Sequence, residues 1–133
     1  MAPEALSRRL SAAVCACCCI AACGRSAGNV AATWNVEPSP AVVGSTAVVR
    51  VSLRNEQQQP LRGARLQLEA HMTHPGMAPV TAAMIERDAG TYEARVELTM
   101  AGAWVIVAAG ELADGARVTK NTEVDAVGRG GPP

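Results

Sequence analysis

Asp88-Ala89-Gly90-Thr91-Tyr92-Glu93-Ala94-Arg95-Val96-Glu97-Leu98-Thr99-Met100 decides how this chain folds. Tyr92, Ala94, Val96, Leu98 and Met100 recur at every second position, with Glu93, Arg95, Glu97 and Thr99 between them. Successive side chains of an extended chain point to opposite faces. A period of two therefore predicts a strand with one face in a core. Asp88, Ala89 and Gly90 supply the turn that leads into it.

The same alternation recurs outward from this stretch. Val49, Val51 and Leu53 share one strand face, and Leu66, Leu68 and Ala70 share another. Turn signals separate the runs: Pro38-Ser39-Pro40, Gly44, a polar stretch over 55–60, Gly63, His74-Pro75-Gly76, Ala101-Gly102 and Ala113-Asp114-Gly115. They delimit strands near 30–36, 47–53, 64–70, 80–87, 91–99, 103–109 and 116–126. Valine dominates the apolar residues and phenylalanine is absent, which suits pleated surfaces better than helices. The expected fold is all-β, a seven-stranded antiparallel immunoglobulin-like sandwich. Asp88-x-Gly90-x-Tyr92 resembles the tyrosine corner of such sandwiches, where the phenol bonds back to nearby backbone. Trp104 opens a run that is apolar on both faces (Val105, Ile106, Val107, Ala108), as expected of a central strand. Trp104 itself reads as core, and Trp34 as core or edge cover.

A different signal precedes the strands. All five cysteines fall between Cys15 and Cys23. Arg8 and Arg9 form a basic start, residues 10–22 a short apolar run, and Ile20-Ala21-Ala22-Cys23 its end. The run is too short to span a bilayer comfortably. This layout resembles a bacterial export signal ending in a lipobox, which implies cleavage before Cys23 and lipid on Cys23. An ordinary secretory signal cut nearby, leaving no anchor, is the competing reading.

Cleavage there removes 22 of 133 residues and leaves 111, one domain's worth. The division expected is a signal peptide (1–22), a flexible Gly/Ala-rich tether (23–32), the sandwich (33–127) and a disordered Gly/Pro tail (128–133). The tether residues after Cys23 would reach at most ~30 Å. With only Cys23 left, a disulfide framework and a thiolate metal site are both excluded. Ten Lys/Arg and eleven Asp/Glu remain, interspersed without runs, so neither a nucleic-acid surface nor an electrostatic membrane patch is indicated. Membrane attachment is expected through the lipid anchor. The resemblance to bacterial lipoproteins further implies the periplasmic face of the outer membrane, since Gly24 stands where an aspartate would retain the protein at the inner one.

His71-Met72-Thr73-His74-Pro75-Gly76-Met77 holds both histidines of the chain, among methionines. Imidazole nitrogen and thioether sulfur are neutral ligands, and thioether suits Cu(I) far better than Mg²⁺, Ca²⁺ or Zn²⁺. The expected metal is therefore copper, on His71, Met72, His74 and Met77, with Met100 or Met84 as an additional donor. Pro75-Gly76 fits the middle of a type II turn that would fold Met77 back. Methionine is also a common gap filler, and a His-Pro-Gly stretch is an ordinary solvated loop. Met84 and Met100 each lie on a strand pattern and read mainly as core.

Catalysis is not expected. No Ser-His-Asp order, paired catalytic carboxylates or phosphate-cradling glycine loop occurs. Asp88, Glu111 and Asp114 sit at turns, where acidic residues bond local backbone. Two histidines cannot form a three-histidine zinc site within one chain.

From about residue 33 to 125 the chain resembles the YtkA-like family, related to FixH-type domains. The resemblance rests on Trp34, Gly44, Gly63-Ala64, the Met/Gly loop over 71–77, Gly90-x-Tyr92 and Met100-x-Gly102-x-Trp104. It implies a small exported β-sandwich without an established reaction, linked in relatives to copper supply or heavy-metal efflux. The implied role is a non-enzymatic binding module, a periplasmic copper chaperone or efflux accessory with a protein partner in a metal-handling or respiratory assembly. Many relatives carry a Met-Gly-His step where this chain has Gly76-Met77-Ala78. The alternative is a metal-free protein-interaction module docking through an exposed sheet edge.

Overall fold

A computed structural model describes residues 24–130. The expected signal, Cys23 and the last residues of the tail lie outside them. Nine strands follow one another: β1 (Ala31–Glu37), β2 (Ala41–Val42), β3 (Thr46–Arg54), β4 (Arg65–Met72), β5 (Val80–Ala83), β6 (Ile85–Asp88), β7 (Thr91–Glu97), β8 (Gly102–Glu111) and β9 (Arg117–Val127). They form two facing sheets, β1-β3-β7-β6 and β2-β9-β8-β4-β5. The all-β sandwich is as expected, but seven strands become nine among the described residues.

Both additions arise where the chain changes sheet. The strand expected over 80–87 breaks at Met84. β5 pairs with β4 in one sheet, and β6 pairs with β7 in the other. The Met84 N–H bonds the Leu66 carbonyl at 3.0 Å and its side chain is buried, so one residue carries the crossing. Apolar spacing at Val80, Ala82 and Met84 continues through the break, which is why alternation alone did not reveal it. The second addition, β2, follows Pro38-Ser39-Pro40 and pairs with β9 in parallel. The expectation of a wholly antiparallel sandwich is corrected at that edge.

The quoted stretch forms β7, and its alternation is borne out: Tyr92, Ala94, Val96 and Leu98 are buried. Met100 lies beyond the strand and is exposed. The core also takes Val49, Val51 and Leu53 from β3, Leu66, Leu68 and Ala70 from β4, and Trp104, Ile106 and Ala108 from β8. Each large apolar side chain buried this way contributes roughly 1.5–3 kcal/mol. No polar or charged residue is buried among the described residues. The central position expected for the Trp104 strand holds, since β8 lies between β9 and β4.

The tyrosine corner is present. The Tyr92 hydroxyl donates to the Leu61 carbonyl at 2.6 Å and accepts the Ala64 N–H at 3.0 Å, fastening the β3–β4 connection to β7. Burial pushes this phenol above its ordinary value. Gly90 has φ +73°, and a side chain there would meet Pro60, Leu61 and Leu53. Glu86 accepts N–H bonds from Gly90 and Gly63 (3.0 and 3.1 Å). Those two donors, Gly90 first, hold its carboxyl below the ordinary value.

The stretch expected as a tether runs along the start of β9. Ser26 bridges to Arg117, the Ala27 N–H bonds Arg117 O at 2.7 Å, and the Arg117 N–H bonds Arg25 O at 2.7 Å. Val30 joins the core cluster. Beyond β9, Arg129 Nη2 donates to Gly44 O at 2.8 Å.

Gly110 marks the tightest approach of β4 to β8. A Cβ at this position would fall onto the Arg65 carbonyl. Gly110→Ala is expected to cost about 2–3 kcal/mol by forcing the two central strands apart. Gly28→Ala, with open space around it, is expected to change stability by less than ~0.5 kcal/mol. Urea unfolding of the two variants checks the contrast.

Candidate functional site

β4 ends two residues beyond the expected 64–70, so His71 and Met72 are strand residues rather than loop residues. Alternation then separates them. Leu66, Leu68, Ala70 and Met72 face the core, while Gln67, Glu69 and His71 face outward. His71 Nε2 lies 2.9 Å from Glu69 Oε2, its neighbour two residues back on the same face. Met72 pairs in register with Trp104 and packs against the core. Its Cε lies 3.2 Å from where a Cβ on Gly102 would stand. The structure does not bring the His71 ring and the Met72 thioether to one face.

Past Met72 the chain leaves the sheet. The Thr73 N–H and Oγ1–H both reach the Ala103 carbonyl, each at 3.3 Å. That fastening holds the start of the 73–79 loop to the second residue of β8, three residues after Met100. Gly76 has φ +85°, as the second central residue of a type II turn requires. His74 is exposed, and so are Met77 (43%) and Met100 (44%).

Met100 is held through its backbone. The Trp104 indole N–H, its ring buried, donates to the Met100 carbonyl at 3.0 Å. The Met-x-Gly-x-Trp spacing thus fixes where the methionine emerges. Beside it an open hollow of about 630 Å³ is lined by Pro40, Val42, Ala101, Val127 and Arg129. Met84 is elsewhere: its backbone bonds Leu66, six residues before Met72 on β4. At ~3.3 Å per residue that is roughly 20 Å away. Met84 fills the core, and Met100 does not.

Among the described residues, no three His, Cys, Asp or Glu side chains gather closely enough to hold a metal ion. The exposed soft donors past the end of β4 and before β8 are Met77, Met100 and the imidazole of His74. Thioether sulfur is a poor ligand for a hard divalent ion. Thr73 and Ala103 were not picked out from the sequence. A threonine ending a strand carries no signal of which carbonyl it will meet.

The YtkA-like family model matches residues 27–109. No curated protein matches the chain. Among solved structures, the Lin-41 filamin domain is similar at a TM-score of 0.53 and 17% identity, over 72% of this chain and 91% of that one. This likeness shows the immunoglobulin-like fold alone. A candidate glycoside hydrolase from Bacteroides vulgatus aligns at a TM-score of 0.49 and 14% identity, over 69% of this chain and 17% of that one. A likeness that slight carries no argument about function.

The two faces of β4 make different stability predictions. His71→Ala removes a solvent-exposed pair and is expected to change unfolding free energy by less than ~0.5 kcal/mol. Met72→Ala removes partly buried methylenes and is expected to cost about 1–2 kcal/mol. Denaturant midpoints of the two variants, taken at neutral pH, check the assignment.

Proposed function

The chain belongs to the YtkA-like family, and from that footing we propose a non-catalytic accessory module, exported and lipid-anchored at Cys23, that binds copper at the loop end. The observation that carries this reading is the Thr73–Ala103 fastening. It supports the reading by holding the residue before His74 to Ala103, three residues from Met100. The side chains of His74, Met77 and Met100 are exposed. The copper is cargo rather than a resident cofactor. Thioethers release a soft ion readily to a stronger site, which suits a chaperone or buffer.

The ligand set proposed is Met77, Met100 and His74, with Met72 at the inner edge. His71 is given a lesser part, because its Nε2 is within hydrogen-bond reach of Glu69 on the outer face. The lipid anchor, the periplasmic face of the outer membrane and a protein partner in a metal-handling or respiratory assembly belong to the same proposal. They rest on the basic start, the apolar run over 10–22 and Cys23.

A metal-free docking module is the second reading, and one observation favours it. β6 is the outermost strand of its sheet, and Ile85 on it is 55% exposed. An edge of this kind can take a partner's strand.

Titration of the apo protein with Cu(I) against a competing chelator tests the first reading. Met77→Ala/Met100→Ala is expected to weaken binding at least tenfold, and His71→Ala to leave it within about twofold; a tenfold change corresponds to ~1.4 kcal/mol. Equal competition by the double variant and the wild type would leave the docking module as the surviving reading.

A further inference from the structure

β9 is paired along one side and largely open along the other. On the β8 side its ladder runs from Arg117 to Ala126 without a slip. Its outer side takes two short partners from this chain, both parallel: Ser26 at Arg117, and β2 at Ala126 and Val127. Between them no described strand pairs with residues 118–125 on that side. β1 lies between Ser26 and β2 in sequence, but it pairs with β3 in the other sheet.

The backbone of this gap is aimed outward. In a strand the N–H and C=O of one residue point to the same edge, and those of the next residue to the other. The Arg117 N–H donates to Arg25 O and its carbonyl accepts the Ala27 N–H, each at 2.7 Å. The Val127 carbonyl accepts the Val43 N–H at 2.9 Å. Arg117 and Val127 thus both turn to the outer edge. Thr119, Asn121, Glu123 and Asp125 fall at even steps between them and turn the same way. From residue 119 to 125 the edge spans roughly 20 Å at ~3.3 Å per step, room for an extended segment of about six residues.

Side chains along the gap specify what fits. Thr119, Asn121, Glu123 and Asp125 are exposed. Their register partners on β8 are Ala109, Val107, Val105 and Ala103, so no cation stands opposite either carboxylate. Neither Glu123 nor Asp125 forms an ion pair among the described residues. The cations of this strand and its end are Arg117 at the start, Lys120 on the inner face, and Arg129, whose guanidinium donates to Gly44 O. Along the Asp125 half an open groove of about 620 Å³ is lined by Trp34, Val36, Pro40, Val124 and Val127, as well as by the two carboxylates. A strand laid beside β9 puts every second side chain next to Glu123 and Asp125, where opposite charge is favoured. The others lie over Trp34, Val36 and Val124, where apolar side chains are favoured.

We propose that the open edge of β9 binds an extended segment of a partner protein, laid parallel to β9, with basic residues beside Glu123 and Asp125 and apolar residues over the Trp34 groove. Parallel is the direction that both segments of this chain already take on the same edge. Main-chain bonds to Thr119, Asn121, Glu123 and Asp125 supply affinity, and the alternating side chains supply selection. The proposal goes beyond the copper reading and does not depend on it. It also concerns a different sheet from the one that ends in β6.

The test titrates the full chain, in detergent micelles, with a fluorescein-labelled heptapeptide alternating valine and lysine, followed by anisotropy. The same peptide with glutamate in place of lysine is expected to bind at least fivefold more weakly. Glu123→Lys/Asp125→Lys, at two exposed positions, is expected to reverse that preference. Ile85→Lys on β6 is expected to leave binding within about twofold. Residue-resolved amide exchange is expected to slow several-fold on binding at Thr119, Asn121, Glu123 and Asp125, and to change little at Lys120, Thr122 and Val124, whose backbone groups point to β8. Binding of neither peptide overturns the proposal. So does a preference that the charge variant leaves unreversed, loss of binding in Ile85→Lys, or new protection confined to other strands. Failure of the copper titration leaves it standing.

Discussion

The ladder between β8 and β9 is the constraint on which the rest depends. Ten residues of each strand pair without a slip. β8 is apolar on both faces, and its inner face carries Trp104, Ile106 and Ala108. A one-residue shift would send those side chains outward and leave the core empty. Register is fixed further by Gly110, where the β4 backbone comes too close for any other residue. At one end of the ladder Trp104 holds the Met100 carbonyl; at the other Arg117 holds residues 25–27. A single buried pairing thus sets both the position of the exposed methionines and their distance from the N-terminal segment.

Much of this was legible from residue order. Period-two alternation located β3, β4 and β7, a run apolar on both faces located β8, and Gly90-x-Tyr92 announced a phenol that bonds back to Leu61 and Ala64. Alternation reports a face, not a sheet, so Met84 hid the step from β5 to β6. β2 is two residues long, too short for any periodicity to register. The candidate site was legible in its composition and only partly in its geometry. His71 and Met72 looked like loop residues because His74-Pro75-Gly76 follows them closely. Pairing with Val105 and Trp104 instead draws both into β4 and turns them to opposite faces.

Soft ligands gain from the arrangement that remains. Thioethers are uncharged, so exposing Met77 and Met100 at a loop end adds no charge that must be paired. Holding them through backbone contacts at Ala103 and Met100 leaves the side chains free to adapt. The proposed copper role needs that adaptability, because a cargo ion must leave as well as arrive. A rigid three-carboxylate or three-histidine cage would serve a different chemistry.

The central claim is that residues 25–27 and the end of the sandwich that carries Met100 are held apart by this ladder. It is tested most directly on residues 24–133, which hold no native cysteine. Spin labels on Ser26→Cys and on Ala101→Cys give the separation by pulsed electron resonance. The account predicts a distance distribution centred at roughly 30–40 Å, given ten pairs at ~3.3 Å each. A distribution centred below about 20 Å would put both ends on one side of the sandwich and contradict it.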